Sequence, residues 1–122
     1  MRLSFVQLAL FRVNWKRLGL TDVDLQALEL AILANPMRAP FMRGTGGLRK
    51  IRFSGQHSAA GKSGGLRVCY ALFQEYSLVY LWTVFPKNEK ANLSRNEIND
   101  YRRLLAQFER YLRENSRKGW TP

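Results

Sequence analysis

Residues 78–85 place the strongest constraint on the fold, because the run Leu-Val-Tyr-Leu-Trp-Thr-Val-Phe is apolar on both faces of an extended strand. A strand of that composition belongs in the middle of a sheet. Residues 66–74 predict another strand, whose alternation places Arg67 and Cys69 on the same face. A short turn at residues 75–77 joins the two runs, so we expect them to form an antiparallel hairpin.

Residues 48–54 predict a third strand just before this hairpin. Ile51 and Phe53 share one face of it, and Lys50 and Arg52 share the other, because successive side chains of a strand alternate. The alternation therefore separates residues that can enter a core from residues that present charge.

Helices are predicted on both sides of these strands in the sequence. Residues 3–8 suit an opening strand, and residues 10–18 suit a short helix after it. A second helix is expected to begin after Thr21, a hydroxyl cap that is followed by acidic residues. It should stop at Asn35, because Pro36 disfavours helical geometry in the residue before it.

The C-terminal part of the chain carries the clearest helix signal. Ser94 and Glu97 have the spacing of a capping box, in which each end of the pair satisfies a backbone N–H of the other. Residues 115–122 form a polar, basic tail that we expect to fray. Between them lies an apolar stripe at helical spacing, formed by Ile98, Tyr101, Leu105, Phe108 and Leu112.

These elements predict one α+β domain over residues 1–122, with a small antiparallel sheet, two N-terminal helices and one C-terminal helix. We expect the helices to pack on one face of the sheet. The other face would then carry Lys50, Arg52 and Arg67.

The segment between Glu29 and Glu75 contains no acidic residue and holds most of the glycines. The whole chain has the same sign, with a formal net charge of +11. The basic side chains create a positive electrostatic potential, and the glycines allow a ligand to approach the backbone closely. Both properties favour a polyanion as the binding partner. The charged residues of this segment are Arg38, Arg43, Arg49, Lys50, Arg52, Lys62 and Arg67.

Other chemistry finds little support in the sequence. Cys69 is the one cysteine and His57 the one histidine, so neither a cysteine cluster nor a histidine-based metal site is expected. Gly61-Lys62-Ser63 lacks the glycine spacing and the following helix of a phosphate-binding loop. No apolar run has the length that spans a bilayer, and a cytoplasmic protein is expected.

Four segments, in this order and spacing, resemble the RelE/HigB-like toxins of bacterial toxin–antitoxin modules, and the HigB type most closely. They are GTGGLRKIR at 44–52, GKSGGLRVCY at 61–70, PKNE at 86–89 and NLSRNE at 92–97. The resemblance implies a microbial-ribonuclease-like fold of the RelE/ParE kind. It also implies an endoribonuclease that cuts messenger RNA in the ribosomal A site and so inhibits translation without a metal or other cofactor. The implied protein partner is a cognate antitoxin, of helix-turn-helix type.

The resemblance also implies which residues act. Basic side chains on the sheet and its rim would stabilise the negative charge that gathers on phosphate oxygens in the transition state. The catalytic residues implied in this way are Lys50, Arg52, Arg67, Lys87 and Glu89. The implied RNA-binding residues are Arg49, Lys62, Arg43 and Lys90.

The proton carriers stay open at the level of sequence. Some members of the family have a tyrosine where this chain has Leu93. Glu89 is one candidate base, although it can equally brace an arginine. Lys50, crowded by Arg49 and Arg52, is another.

Two other functions compete with the ribonuclease. One is a ParE-like toxin that inhibits gyrase and shares the fold, although such a protein does not need a cluster of phosphate-binding cations. The other is a non-catalytic RNA-binding module, which would bind with a steep salt dependence and cut nothing. The antitoxin would either cover the cationic face or dock elsewhere and block entry to the ribosome by its bulk.

Overall fold

A computed structural model describes residues 2–54, 65–90 and 92–117, with only the backbone of Arg117. The order of helices and strands is the predicted one. The elements are β1 (Ser4–Gln7), α1 (Ala9–Arg17), α2 (Asp22–Ala34), β2 (Leu48–Phe53), β3 (Leu66–Phe73), a single 3₁₀ turn (Gln74–Tyr76), β4 (Leu78–Pro86) and α3 (Arg95–Arg117).

Within the described residues the strands form one four-stranded sheet in the order β1-β4-β3-β2. The predicted hairpin is confirmed, since β3 and β4 pair antiparallel and both are central. The α+β fold is confirmed as well, but the sheet is mixed rather than purely antiparallel, because β1 runs parallel to β4. A parallel neighbour cannot be reached through a tight turn. Here the chain passes through two helices and two strands before it returns.

Apolar clusters cover both faces of the sheet, so the expectation of helices on one face was wrong. Residues of α1 and α2, including Phe11, Trp15 and Leu28, pack on one face against Val68 and Val79. The stripe of α3 packs on the other face against a second set: Cys69, Ala71, Tyr80 and Trp82. The physical reason is β4 itself, which is buried along its whole length and therefore needs a cover on each side.

Side-chain caps fix the beginnings of the two longer helices. Thr21 Oγ1 accepts from the backbone N–H of Asp24 at 3.2 Å, and Asp24 Oδ2 accepts from that of Thr21 at 3.0 Å. Ser94 and Glu97 form the predicted box, with distances of 2.8 and 3.1 Å. Residues 115–117, the beginning of the tail that we expect to fray, continue α3. The rest of the tail lies outside the described residues.

The outer edge of β2 is partly covered by the segment that precedes it. The backbone N–H of Met42 donates to the carbonyl of Leu48 at 2.7 Å, and that of Lys50 donates to the carbonyl of Pro40 at 3.1 Å. Buried Thr45 closes the turn between them, since its Oγ1 accepts from the N–H of Leu48 at 3.0 Å. The first half of β2 is thereby held in place, whereas Arg52 lies beyond this cover.

None of the helices in the described residues combines the length and the apolar character that crossing a bilayer requires.

Candidate nucleic-acid interface

The register of β2 and β3 brings two arginines together. Arg52 is the direct partner of Arg67, and Lys50 is the partner of Cys69. Opposed residues on neighbouring strands point to the same face with Cβ atoms about 5 Å apart. Like charges so placed destabilise a sheet. Arg52 is exposed and Arg67 is only 6% exposed, so this sheet keeps a buried cation beside a second one. An anion bound between them would offset the repulsion.

A third basic residue reaches the same place from the end of β4. The backbone N–H of Lys87 donates to the carbonyl of Gly65 at 3.3 Å, which sets Lys87 beside the beginning of β3. An open groove of about 760 Å³ lies here. Its basic lining includes four of the predicted catalytic residues, Lys50, Arg52, Arg67 and Lys87.

Lys50 is held within the groove by a side-chain contact. Its Nζ donates to Oδ1 of Asn92 at 3.3 Å, and Asn92 also lines the groove. Beneath them lies Cys69, which is fully buried. Burial raises the pKa of the Cys69 thiol to about 12, although the charges of Lys50 and Lys90 act to lower it. Cys69 is therefore a packing residue rather than a nucleophile.

Glu89 is not brought to the groove. It faces α1, where its two carboxylate oxygens accept from Nη1 and Nη2 of Arg17 at 3.3 and 3.4 Å. Of the two possibilities left open by the sequence, the structure displays the arginine contact. No Asp, Glu, His or Tyr occurs among the described residues that line the groove.

Lys90 does not line the groove and pairs with Glu97. Its Nζ lies 2.7 Å from Oε2 of Glu97 and 5.0 Å from the ring centroid of Phe85. Burial acts to raise the pKa of Glu97, but hydrogen bonds from Lys90 and Ser94 outweigh it and the net shift is downward. The carboxylate thus stays charged, caps α3 and holds Lys90.

The remaining predicted RNA contacts have different positions. Arg49 lies on the opposite face of β2 and donates to the carbonyls of Met37 and Ala39, each at 2.8 Å. Its guanidinium also stacks 4.0 Å from the ring of Phe41, so it braces the connector. Arg43 is exposed and borders a smaller cavity that shares Lys50 and Asn92 with the groove. Lys62 and His57 lie outside the described residues.

Sequence reasoning missed two contributors to the groove. Asn92 was quoted within a motif but not selected, because a lone asparagine has no spacing signal. Its position follows from the short connection between β4 and α3. The segment from Ala31 to Pro40 was also missed. Helical periodicity predicts which residues of α2 enter the core, but it does not predict that the groove lies beside the C-terminal end of that helix.

The groove residues can hold a phosphodiester and stabilise charge on its oxygens, since several cations converge on one face. Within the part of the chain that the structure describes, no group of three or more His, Cys, Asp or Glu side chains is placed to hold a metal ion.

No protein-family model matches the sequence. Solved structures with a similar fold include three of the E. coli toxin RelE. A free double-arginine mutant of RelE matches with a TM-score of 0.52 and 19% identity, over 75% of this chain and 90% of that one. The isolated RelE toxin matches with a TM-score of 0.50 and 22% identity, over 84% and 98%. The intact RelBE toxin–antitoxin complex matches with a TM-score of 0.50 and 22% identity, over 67% and 93%. At these identities the likeness establishes the fold, which is that of RelE.

Proposed function

We propose that this protein is the toxin of a toxin–antitoxin module and acts as an endoribonuclease that cuts messenger RNA on the ribosome. Two things support the proposal. The fold is that of E. coli RelE, which is described as a toxin. The observation that carries it is the opposition of Arg52 and Arg67 in a groove that also contains Lys50 and Lys87.

The proposed reaction uses the RNA itself as nucleophile. The 2′-oxygen attacks the adjacent phosphorus and loses its proton, while the bond from phosphorus to the 5′-oxygen breaks and that oxygen takes up a proton. The products are a 2′,3′-cyclic phosphate and a 5′-hydroxyl, and no metal is required for the balance. Arg52, Arg67 and Lys87 stabilise the additional negative charge of the transition state. One such donor contributes on the order of 3 kcal/mol to lowering the barrier.

Proton transfer is assigned to Lys50 in this proposal. Of the two candidates, Lys50 lines the groove and Glu89 is engaged by Arg17. The hydrogen bond from Nζ of Lys50 to Oδ1 of Asn92 would orient the lysine side chain for that transfer.

The proposed partners follow from the same role. E. coli RelE is known in a complex with an antitoxin, RelBE. For this chain we expect an antitoxin of helix-turn-helix type, the ribosome with its messenger RNA as target, and a cytoplasmic location where translation takes place. The HigB type stays a proposal from the four sequence segments.

One observation favours a second candidate, a non-catalytic RNA-binding protein. No carboxylate, imidazole or phenol lines the groove within the described residues, so proton transfer depends on a lysine. Such a protein would bind single-stranded RNA with a slope of about −0.7 per phosphate contact in log affinity against log salt, and would leave it intact. No feature of the groove favours gyrase inhibition.

The deciding experiment is primer extension on messenger RNA bound to programmed ribosomes. The wild-type protein should produce defined cuts, and Arg52→Ala should slow them about a hundredfold. Arg110→Ala is the matched control, because Arg110 is an exposed arginine of α3 that does not line the groove. Intact RNA after incubation with a folded wild-type protein would refute the nuclease and leave the RNA-binding candidate.

A further inference from the structure

The groove reaches round β2 to a second wall, on the α2 side of the sheet, that the proposed reaction does not use. It is formed by the C-terminal end of α2 and the segment that follows, which contribute Ala31, Ala34, Asn35, Arg38, Ala39 and Pro40. The first wall is basic and suits phosphates. The second wall consists mainly of small apolar side chains and also contains one amide and one guanidinium group. A ligand that fills the groove must therefore be charged on one side and apolar on the other.

The second wall is fixed in place by the core. Leu28 and Ile32 of α2 are fully buried, so the neighbouring Ala31 and Ala34 are turned outward. The hydroxyl of Tyr70 donates to the carbonyl of Pro36 at 2.7 Å, just after the helix ends. Two hydrogen bonds from Arg49 hold the carbonyls of Met37 and Ala39, as described above. A surface braced in this way is preformed, so a ligand does not have to order it.

The size of the groove exceeds what a phosphate alone would fill. The open groove has a volume of about 760 Å³, which is comparable with that of small-molecule sites. In a single RNA strand, the phosphate and the base attached to the same sugar project in different directions. A phosphodiester at Arg52 and Arg67 therefore leaves the base of a neighbouring nucleotide free to reach the other wall.

We infer that the second wall is a subsite for an unpaired nucleobase. The flat face of the base lies on Ala31, Ala34 and Pro40, three exposed residues that we term the base shelf. Its edge receives hydrogen bonds from the side chains of Asn35 and Arg38, which are both exposed. The inference rests on the proposed function for the identity of the strand as RNA. It adds to that function a second contact, which selects bases rather than phosphates.

The test measures binding of short probes that cannot be cut. A 2′-O-methyl trinucleotide is compared with the same backbone carrying abasic sugars, by fluorescence anisotropy at two salt concentrations. The wild-type protein should bind the probe with bases about tenfold more tightly, as expected when one base gains a surface to lie on. Both probes should show the same salt slope, because they carry the same phosphates.

A filled base shelf should abolish the difference. The double variant Ala31→Leu with Ala34→Leu places bulk on two exposed helical positions, where leucine is a good helix former. It should bind the abasic probe as the wild type does and the base-containing probe no better. Ala106→Leu is the matched control on an exposed position of α3. It should keep the full tenfold preference.

Three outcomes would overturn the inference. These are equal affinity of the wild type for both probes, a preference that survives in the double variant, and no binding of either probe. The last would assign the groove to a protein partner. The cleavage assay tests the nuclease proposal independently of the base shelf. A wild-type protein that prefers the base-containing probe but does not cut RNA on ribosomes would support the base shelf and refute the nuclease. A wild-type protein that cuts RNA but shows no preference for bases would refute only the base shelf.

Discussion

Arg52 on β2 and Arg67 on β3 are direct cross-strand partners on one face of the sheet. The pairing has a thermodynamic consequence besides its proposed role in catalysis. Removing one charge of an opposed like-charged pair relieves repulsion between the two side chains.

We therefore expect Arg52→Ala to unfold at a higher urea concentration than the wild type. The gain in free energy of unfolding should be a few tenths of a kcal/mol at low salt and should shrink near 1 M salt, because ions screen the repulsion. Urea denaturation at both salt concentrations measures it. Arg110→Ala, which removes the same charge elsewhere, should show no gain that depends on salt in this way. A loss of stability in Arg52→Ala would contradict the electrostatic reading.

Asn92 offers a test of the proton carrier. Asn92→Asp keeps the shape of the side chain but sets a carboxylate beside Nζ of Lys50, where it can form an ion pair with the amine. If Lys50 transfers the proton, cleavage should slow by up to about a hundredfold, because the ion pair competes with the transfer. The measurement is the single-turnover cleavage rate on programmed ribosomes.

The control for this change is Asn96→Asp, which adds the same charge at an exposed position in the first turn of α3. Its cleavage rate should stay with that of the wild type. Equal rates in the two variants would remove Lys50 from proton transfer.

Glu89 should be dispensable for cutting. Glu89→Gln leaves the groove intact and loses only the exposed ion pair with Arg17, which contributes at most about 1 kcal/mol to stability. The cleavage rate should stay within about twofold of the wild type, whereas Lys87→Gln, two residues earlier, should lower it about a hundredfold. If Glu89→Gln were folded but inactive, the carboxylate would have to reach the groove in a conformation other than this one.

Alkaline pH should destabilise the protein through Cys69. Its pKa is raised from 9.0 to about 12 by burial, so above pH 9 the unfolded chain releases a proton that the folded chain keeps. The unfolded state then binds fewer protons, and the free energy of unfolding falls by up to about 1.4 kcal/mol per pH unit until the folded thiol also titrates. Tyr101, whose pKa burial and the charge of Glu97 raise to about 12, adds to the loss above pH 10.

Cys69→Ala should flatten this pH dependence between pH 9 and 10. Urea denaturation at pH 8, 9 and 10 gives the slope of the free energy of unfolding against pH for the wild type and the variant. The comparison of slopes does not depend on the absolute stability of the variant. An equally steep slope in the variant would assign the alkaline loss to other groups.

Alternation along a strand was enough to predict that Lys50 and Arg52 share a face, because side chains on a strand have a period of two. The opposition of Arg52 and Arg67 was beyond the sequence. A one-residue shift in pairing would have sent Arg67 to a different partner, and a long connection between two strands does not specify their register. The capping box at Ser94 was predictable for the opposite reason, since its partners lie within one helical turn.

Side-chain placement was beyond the sequence where it depends on distant parts of the chain. Glu89 follows Lys87 closely in the sequence, yet Glu89 contacts Arg17 of α1 and Lys87 lines the groove. Likewise, the stripe of α3 fixes which side of that helix is apolar but not which face of the sheet it covers. That choice follows from α1 and α2 already occupying the other face.

The parallel pairing of β1 with β4 bears on how the protein is made. Ser4 to Gln7 of β1 align with Leu78 to Leu81 of β4. The first strand to be synthesised therefore cannot form its hydrogen bonds until β4, the last of the described strands, has left the ribosome. A nascent chain gains no partial sheet order from its N-terminus. The fold closes late in synthesis, and with it the arrangement of β3 beside β4 on which Arg67 depends. A ribosome producing this protein would therefore finish most of the polypeptide before the groove could form.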